Sequence, residues 1–244
     1  MKPKNKRKDI SKDVVHGPNA IIEMLKAKKR KLYSIYLKQP IPKAWDKVKQ
    51  YLPKSVPNIQ YVNKNTLDGI ALTPDHKGIV ALVSPFQYTK RMFTPDKKPF
   101  VLLLDSIQDV GNLGAILRSA YCAGVDGVVL CQNQAAHLTS TVFAASAGYA
   151  EYLDIHISPS ISHAVNELKK NGYNLYMAVM DGNDASKVTY KKPLCLVIGN
   201  EATGISKNVL PLGQAITIPQ RSPEISYNAS VAAGILLFPV SLKK

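Results

Sequence analysis

Apolar residues along this chain fall into short runs separated by polar stretches, and the runs carry two periods. Runs of four or five apolar residues at Phe100–Leu104, Gly127–Cys131 and Leu194–Ile198 predict strands covered on both faces. Ser34–Leu37, Ile59–Val62, Ile79–Val83, Tyr152–Ile157, Asn174–Val179 and Ala215–Ile218 predict further strands. Between them, helical spacing predicts helices at Ala20–Lys28, Ala44–Tyr51, Thr66–Ala71, Thr139–Ser146 and Ile161–Lys170. Another helix is expected to open near Asn112, with Leu113, Ile116 and Leu117 inward and Asn112 as its cap. Asn228–Phe238 reads as a final helix that is apolar nearly all round. Strands alternating with helices predict α/β architecture with a parallel sheet.

The pattern breaks at residues 84–99, where three prolines and four basic residues show no periodicity. This segment is expected to be a semi-flexible linker between a small α/β domain at 13–83 and a larger one at 100–244. Residues 1–12 are Lys-rich and polar, and predict a disordered arm that touches RNA.

Charge sharpens the division. The chain carries a formal net charge of +15, from 32 basic and 17 acidic residues. Residues 1–99 hold 22 of the basic residues and 7 of the acidic ones, so the whole excess lies there. A basic part beside a neutral one predicts a polyanion-binding module joined to a module with another task. Lys28, Lys29, Arg30 and Lys31 form the densest cluster in the folded part and are the candidate RNA phosphate contacts. Cys122, Cys131 and Cys195 fit no metal spacing and read as buried, reduced thiols, so no metal is expected. No apolar run approaches membrane-spanning length and no apolar signal core opens the chain. The expectation is a cytoplasmic protein without a membrane partner, with an organellar matrix as the lesser alternative.

Candidate chemistry lies in three segments. They are Asn112-Leu113-Gly114-Ala115-Ile116-Leu117-Arg118, Ile198-Gly199-Asn200-Glu201-Ala202-Thr203-Gly204 and Ser226-Tyr227-Asn228-Ala229-Ser230-Val231-Ala232. Each sets polar residues beside an apolar run, where strands of an open sheet give way to ligand-binding loops. A dinucleotide site is disfavoured, because Gly111-Asn112-Leu113-Gly114 lacks the Gly-x-Gly-x-x-Gly spacing. Arg118 is the only arginine between Phe100 and Gln220. Asn112 also fits a helix cap, and Glu201 also fits a helix-start carboxylate.

In order and spacing these segments resemble the SpoU family of RNA ribose 2′-O-methyltransferases, within the SPOUT superfamily. Asp109-Val110-Gly111-Asn112 stands where the family usually has Asp-Pro-x-Asn, Ala202 replaces a glycine, and Tyr227 replaces a leucine. His16-Gly17 and His76-Lys77-Gly78 resemble landmarks of the L30e-like substrate-binding domain of members that modify large-subunit ribosomal RNA. The two histidines themselves read as loop residues that satisfy backbone groups.

The resemblance implies a C-terminal trefoil-knot domain, a homodimer and S-adenosylmethionine as cofactor. The chain after Leu194 would thread through a loop and the last helix would tuck back. The resemblance assigns Arg118, Asn112, Glu201, Ser226 and Asn228 to catalysis. It assigns Ile198, Gly199, Gly204, Ile218, Tyr227 and Ser230 to the cofactor. The implied activity is ribose methylation of a guanosine in large-subunit ribosomal RNA. Alternatives are a transfer-RNA methyltransferase, a resistance enzyme that modifies ribosomal RNA, and a non-catalytic ribosome-assembly protein.

Overall fold

A computed structural model describes residues 12–55, 58–132, 135–222 and 225–242. The expected N-terminal arm lies almost wholly outside the described residues. The chain divides into two compact units between Gln87 and Tyr88.

The first unit holds β1 (Asp13–His16), α1 (Pro18–Ala27), β2 (Leu32–Lys38), α2 (Trp45–Val48), β3 (Ile59–Val62), α3 (Lys64–Ala71) and β4 (Ile79–Val83). Its sheet runs β1-β4-β2-β3. Both β1 and β2 are antiparallel to β4, while β2 and β3 are parallel. The four-residue β1, which was not expected, is an edge strand too short to show a period. The helix α1 starts with Pro18 at its first position, where a missing N–H costs nothing, and buries Ala20, Ile21, Ile22 and Met24. The expected helix at 44–51 is a single α turn that tightens into a 3₁₀ turn at Lys49–Tyr51.

The second unit holds β5 (Phe100–Leu104), α4 (Val110–Cys122), β6 (Gly127–Cys131), α5 (Ser140–Ala145), β7 (Ile155–Ser158), α6 (Ile161–Lys170), β8 (Asn174–Asp184), β9 (Leu194–Ile198), β10 (Gln214–Thr217) and α7 (Ala229–Leu242). Its six-stranded sheet runs β10-β8-β9-β5-β6-β7, with every pairing parallel. Every residue of β5, β6 and β9 is buried, so their continuous apolar runs are the signature of strands covered on both faces. From β5 the chain first builds outward through β6 and β7, then returns to build β8, β9 and β10 on the other side. The order therefore reverses between β5 and β9, and loops leaving the carboxyl ends of these two strands diverge around a crevice.

Three expectations are corrected here. Tyr152, placed in a strand, ends a 3₁₀ turn at Tyr149–Tyr152, and β7 begins only at Ile155. Cys122 is exposed at the end of α4, whereas Cys131 and Cys195 are buried. Burial, with Asp105 nearby, pushes the Cys131 thiol up to about 12, so it stays protonated. Segment 84–99 is held along most of its length rather than running free. Ser84 and Phe86 bond within the first unit. Beyond the division, Thr89 bridges to His156, the Phe93 carbonyl accepts from Asn171, and the Lys98 carbonyl accepts from Tyr173 at 2.6 Å.

Candidate active site

The crevice at the strand-order reversal is built by three chain segments. The first leaves β5. Asp109, not Asn112, caps α4: its Oδ1 accepts from the Asn112 backbone N–H at 2.6 Å. Asn112 therefore sits in the first helical turn with its side chain free to reach outward. Its Nδ2 donates to Glu201 Oε1 at 3.2 Å, joining residues 89 positions apart. Gly114 lets α4 and α5 touch, because a Cβ there would stand 2.4 Å from Ala145 Cβ.

The second segment leaves β9. Gly199 must be glycine, since a Cβ would lie 2.2 Å from the Gly204 carbonyl carbon. The loop folds back on itself: Asn200 and Gly204 exchange two backbone hydrogen bonds of 3.0 Å. Gly204 supplies the positive φ of +69° that closes the turn. Ala202 is exposed and outside the left-handed region, so its methyl group is accommodated. Glu201 Oε2 also accepts from the Gln108 N–H and the Asn200 side chain, each at 3.4 Å.

The third segment precedes α7. Asn228 Oδ1 accepts from Ser230 N at 2.9 Å and from Ser230 Oγ at 2.7 Å. These two residues thus form the start of the helix rather than the wall of the crevice.

The second and third segments, with β8 and β10, enclose a cavity of about 400 Å³, within the range of small-molecule sites, and the first segment reaches the cavity loop through the Asn112–Glu201 contact. Seven sequence-predicted residues line it: Ile198, Gly199, Glu201, Gly204, Ile218, Ser226 and Tyr227. Tyr227 is part-exposed at 44 % and stands at the lip. A further wall was not legible in the sequence. Strand β8 runs past its expected end, and its register against β10 jumps from Met177 to Asn183. The excursion carries Ala178, Val179 and Met180 to the cavity, held by the Thr217 hydroxyl donating to the Met180 carbonyl at 2.9 Å. Leu236 and Ala232 of α7 close the apolar side.

Arg118 is exposed on α4, away from the cavity wall, and makes no hydrogen bond or ion pair to any described residue. The basic cluster divides. Lys28, Lys29 and Lys31 are exposed. Arg30 is turned inward, with a side chain 1 % exposed. Its Nη2 donates to Asp13 Oδ2 at 2.7 Å and its Nε to the Ser84 carbonyl at 2.7 Å. That corrects its expected role: it clamps the two ends of the first unit and is not presented to a phosphate. His76 also has a structural part. Its Nδ1 accepts from the Gly78 N–H at 2.8 Å and its Nε2 lies 2.7 Å from Asp68 Oδ1.

Among the described residues no group of three or more His, Cys, Asp or Glu side chains is arranged to hold a metal ion. Nor is any described helix long and apolar enough to cross a membrane.

An all-parallel α/β sheet with a glycine-hinged cavity at the carboxyl end of β9 defines a protein that binds a small molecule at its strand ends. Comparison with known proteins narrows that class. Residues 99–238 match the SpoU rRNA methylase family, and residues 14–89 match the family of RNA 2′-O ribose methyltransferase substrate-binding domains. A Bacillus subtilis protein named a TrmH family tRNA/rRNA methyltransferase is 33 % identical over 243 residues, 95 % of this chain and 96 % of that one. A solved RNA 2′-O ribose methyltransferase superposes with a TM-score of 0.83, at 21 % identity, over 99 % of this chain and 92 % of the other. The AdoMet-bound rRNA methyltransferase of Sinorhizobium meliloti superposes at 0.77 with 22 % identity, over 93 % and 86 %. The chain belongs to the SpoU rRNA methylase family, and is an RNA 2′-O-methyltransferase that uses S-adenosylmethionine.

Proposed function

We propose that the enzyme methylates the ribose 2′-hydroxyl of a guanosine in large-subunit ribosomal RNA, with the cavity lined by β8, the loops after β9 and β10, and α7 as the S-adenosylmethionine site. The observation that carries this reading is the Asn112–Glu201 contact. It joins the α4 motif to the cavity loop at the edge of a 400 Å³ apolar-walled pocket. The pocket fits the cofactor: its backbone turn closes tightly only because Gly199 has no side chain, and its apolar wall offers a surface to a flat base. S-adenosylmethionine supplies an electrophilic methyl carbon on a good leaving group.

The residues then have separable tasks. Glu201, Asn112 and Ser226 orient groups at the cavity mouth. Ile198, Gly199, Gly204, Ile218 and Tyr227 hold the donor. Asn228 and Ser230 fix the start of α7, so they support the Ser226–Tyr227 loop from behind. Arg118 offers a planar guanidinium suited to oxyanions, so its task is to bind the target phosphate and stabilise the developing alkoxide. Lys28, Lys29 and Lys31 offer charge to the RNA backbone.

A homodimer completes this reading. Val231, Ile235, Phe238 and Leu242 of α7 are 48 %, 40 %, 62 % and 66 % exposed, and their spacing puts them in one stripe. The opposite stripe, Ala233, Leu236, Leu237 and Val240, is buried within the chain. A second copy covering the outward stripe would bring another α4 and its Arg118 to the region.

Ribosomal RNA is favoured over transfer RNA because both units are matched, the basic substrate-binding unit among them. Calorimetry with the full chain should detect donor binding. Ribosomal RNA from a strain lacking the gene should accept one methyl group, locatable by mass mapping. Donor binding without methylation of ribosomal RNA, but with methylation of transfer RNA, would replace this substrate with the alternative.

A further inference from the structure

The cavity loop is fastened at both ends to the two residues that follow β5. At its start, Asn200 makes four side-chain hydrogen bonds of 3.3 Å or less. Its Oδ1 accepts from Ala202 N at 2.9 Å, Thr203 N at 3.1 Å and Thr203 Oγ1 at 3.3 Å, which shapes the turn. Its Nδ2 donates outward, to the Ser106 carbonyl at 2.7 Å. Past the loop, Asp105 is 2 % exposed and its Oδ2 accepts from both Ser206 N, at 2.8 Å, and Ser206 Oγ, at 2.7 Å. Ser106 itself adopts a φ of +58°, a conformation a serine seldom holds without outside support. Directly after it the chain runs through buried Ile107 to Gln108, whose N–H meets Glu201, and to Asp109, which caps α4.

We infer that Asn200 is a positioning residue for methyl transfer: its tie to Ser106, seconded by Asp105–Ser206, sets the register of the donor loop against the amino end of α4. Through that register the Asn112–Glu201 contact and the direction of α4 are fixed with respect to the donor. The loop could form its turn through Asn200 Oδ1 alone. The outward Nδ2 bond adds nothing to the turn, and its effect is on the relation between the two motifs. Small misplacement of reacting groups carries a large kinetic penalty, so this tie acts on turnover more than on donor affinity. The inference rests on the reading of the cavity as the S-adenosylmethionine site.

The test uses full-length Asn200→Ser. Serine keeps an oxygen that can accept from the turn N–H groups, but it is too short to reach Ser106. S-adenosylmethionine affinity by calorimetry should stay within about threefold of wild type, while kcat at saturating donor falls by about a hundredfold. Combined with Asn112→Ala, the two losses should be far from additive, because both act through one contact. If Asn200→Ser does not fold, Ser206→Ala removes the hydroxyl half of the second tie outside the cavity and should show the same split, with a kcat loss of about tenfold. An unchanged kcat, or a weakened donor affinity with normal kcat at saturation, would overturn the inference and leave Asn200 a wall of the pocket only. Failure of the wild-type protein to bind the donor would instead overturn the functional reading, and this inference with it.

Discussion

Arg30 in the first unit and Arg118 in the second make an instructive pair. Each is a cation that the sequence marks for work on RNA, one for phosphate contact and one for catalysis, and the two units treat them in opposite ways. Arg30 sits in the densest basic run of the folded chain, yet it is buried and spends its guanidinium on Asp13 and Ser84. Arg118 lies within residues 100–244, which carry no net charge, and it is exposed without a partner among the described residues. Density of charge is thus a poor guide to which cation the fold leaves available to a ligand. What decides is whether the fold has already satisfied the group, because a guanidinium with its donors committed has little left for a ligand.

The largest effect expected from this contrast is catalytic. Arg118→Ala should lower kcat by about a hundredfold to a thousandfold while leaving donor affinity and melting temperature near wild type. Activity within a few-fold of wild type would remove Arg118 from the centre.

The next effect is structural. Asp13→Ala strands a buried cation, and should cost the first unit about 2 kcal/mol, less than for a fully buried pair because Asp13 is 35 % exposed. Chemical denaturation would measure it. Arg30 and Asp13 variants that still fold should keep the salt dependence of RNA binding. By contrast, replacing Lys28, Lys29 and Lys31 with alanine should lower the slope of log affinity against log salt by a little under one unit per lysine. A slope that drops for Arg30→Ala and not for the lysines would reverse the comparison.

The smallest effect concerns acid. His16 is buried, and neither ring nitrogen has a hydrogen-bond partner among the described residues. Burial, reinforced by neighbouring His76 and opposed by Asp75, holds its pKa below the ordinary 6.5. The unfolded chain therefore binds the proton more readily, and stability present above pH 6.5 is lost as pH falls toward the lowered folded value. The melting temperature should decline on acidification below that point, and His16→Leu should flatten the decline.

These contrasts also explain what the sequence could disclose. Strands such as β5, β6, β9 and helix α6 were legible to the residue, because full burial on both faces, or a clean amphipathic stripe, leaves a continuous signal. The edge strand β1 and the excursion of β8 were not, since both are set by partners far along the chain. At the site, glycines and glutamate in the loop after β9 could be read from their place at a strand end. The cap at Asp109 was missed in favour of Asn112, because both residue types cap helices and only the partner Glu201 tells them apart. Asn200 and Asp105 carried no signal of their own: their roles are hydrogen bonds across about a hundred residues.

The outward stripe of α7 has a consequence for handling the enzyme. In the proposed homodimer a second copy covers these four apolar side chains, so association should follow mass action. Specific activity should then fall on dilution and recover when the protein is concentrated again, and melting temperature should climb with protein concentration. Charged substitutions at Phe238 would shift that whole curve toward higher concentration without touching the donor cavity.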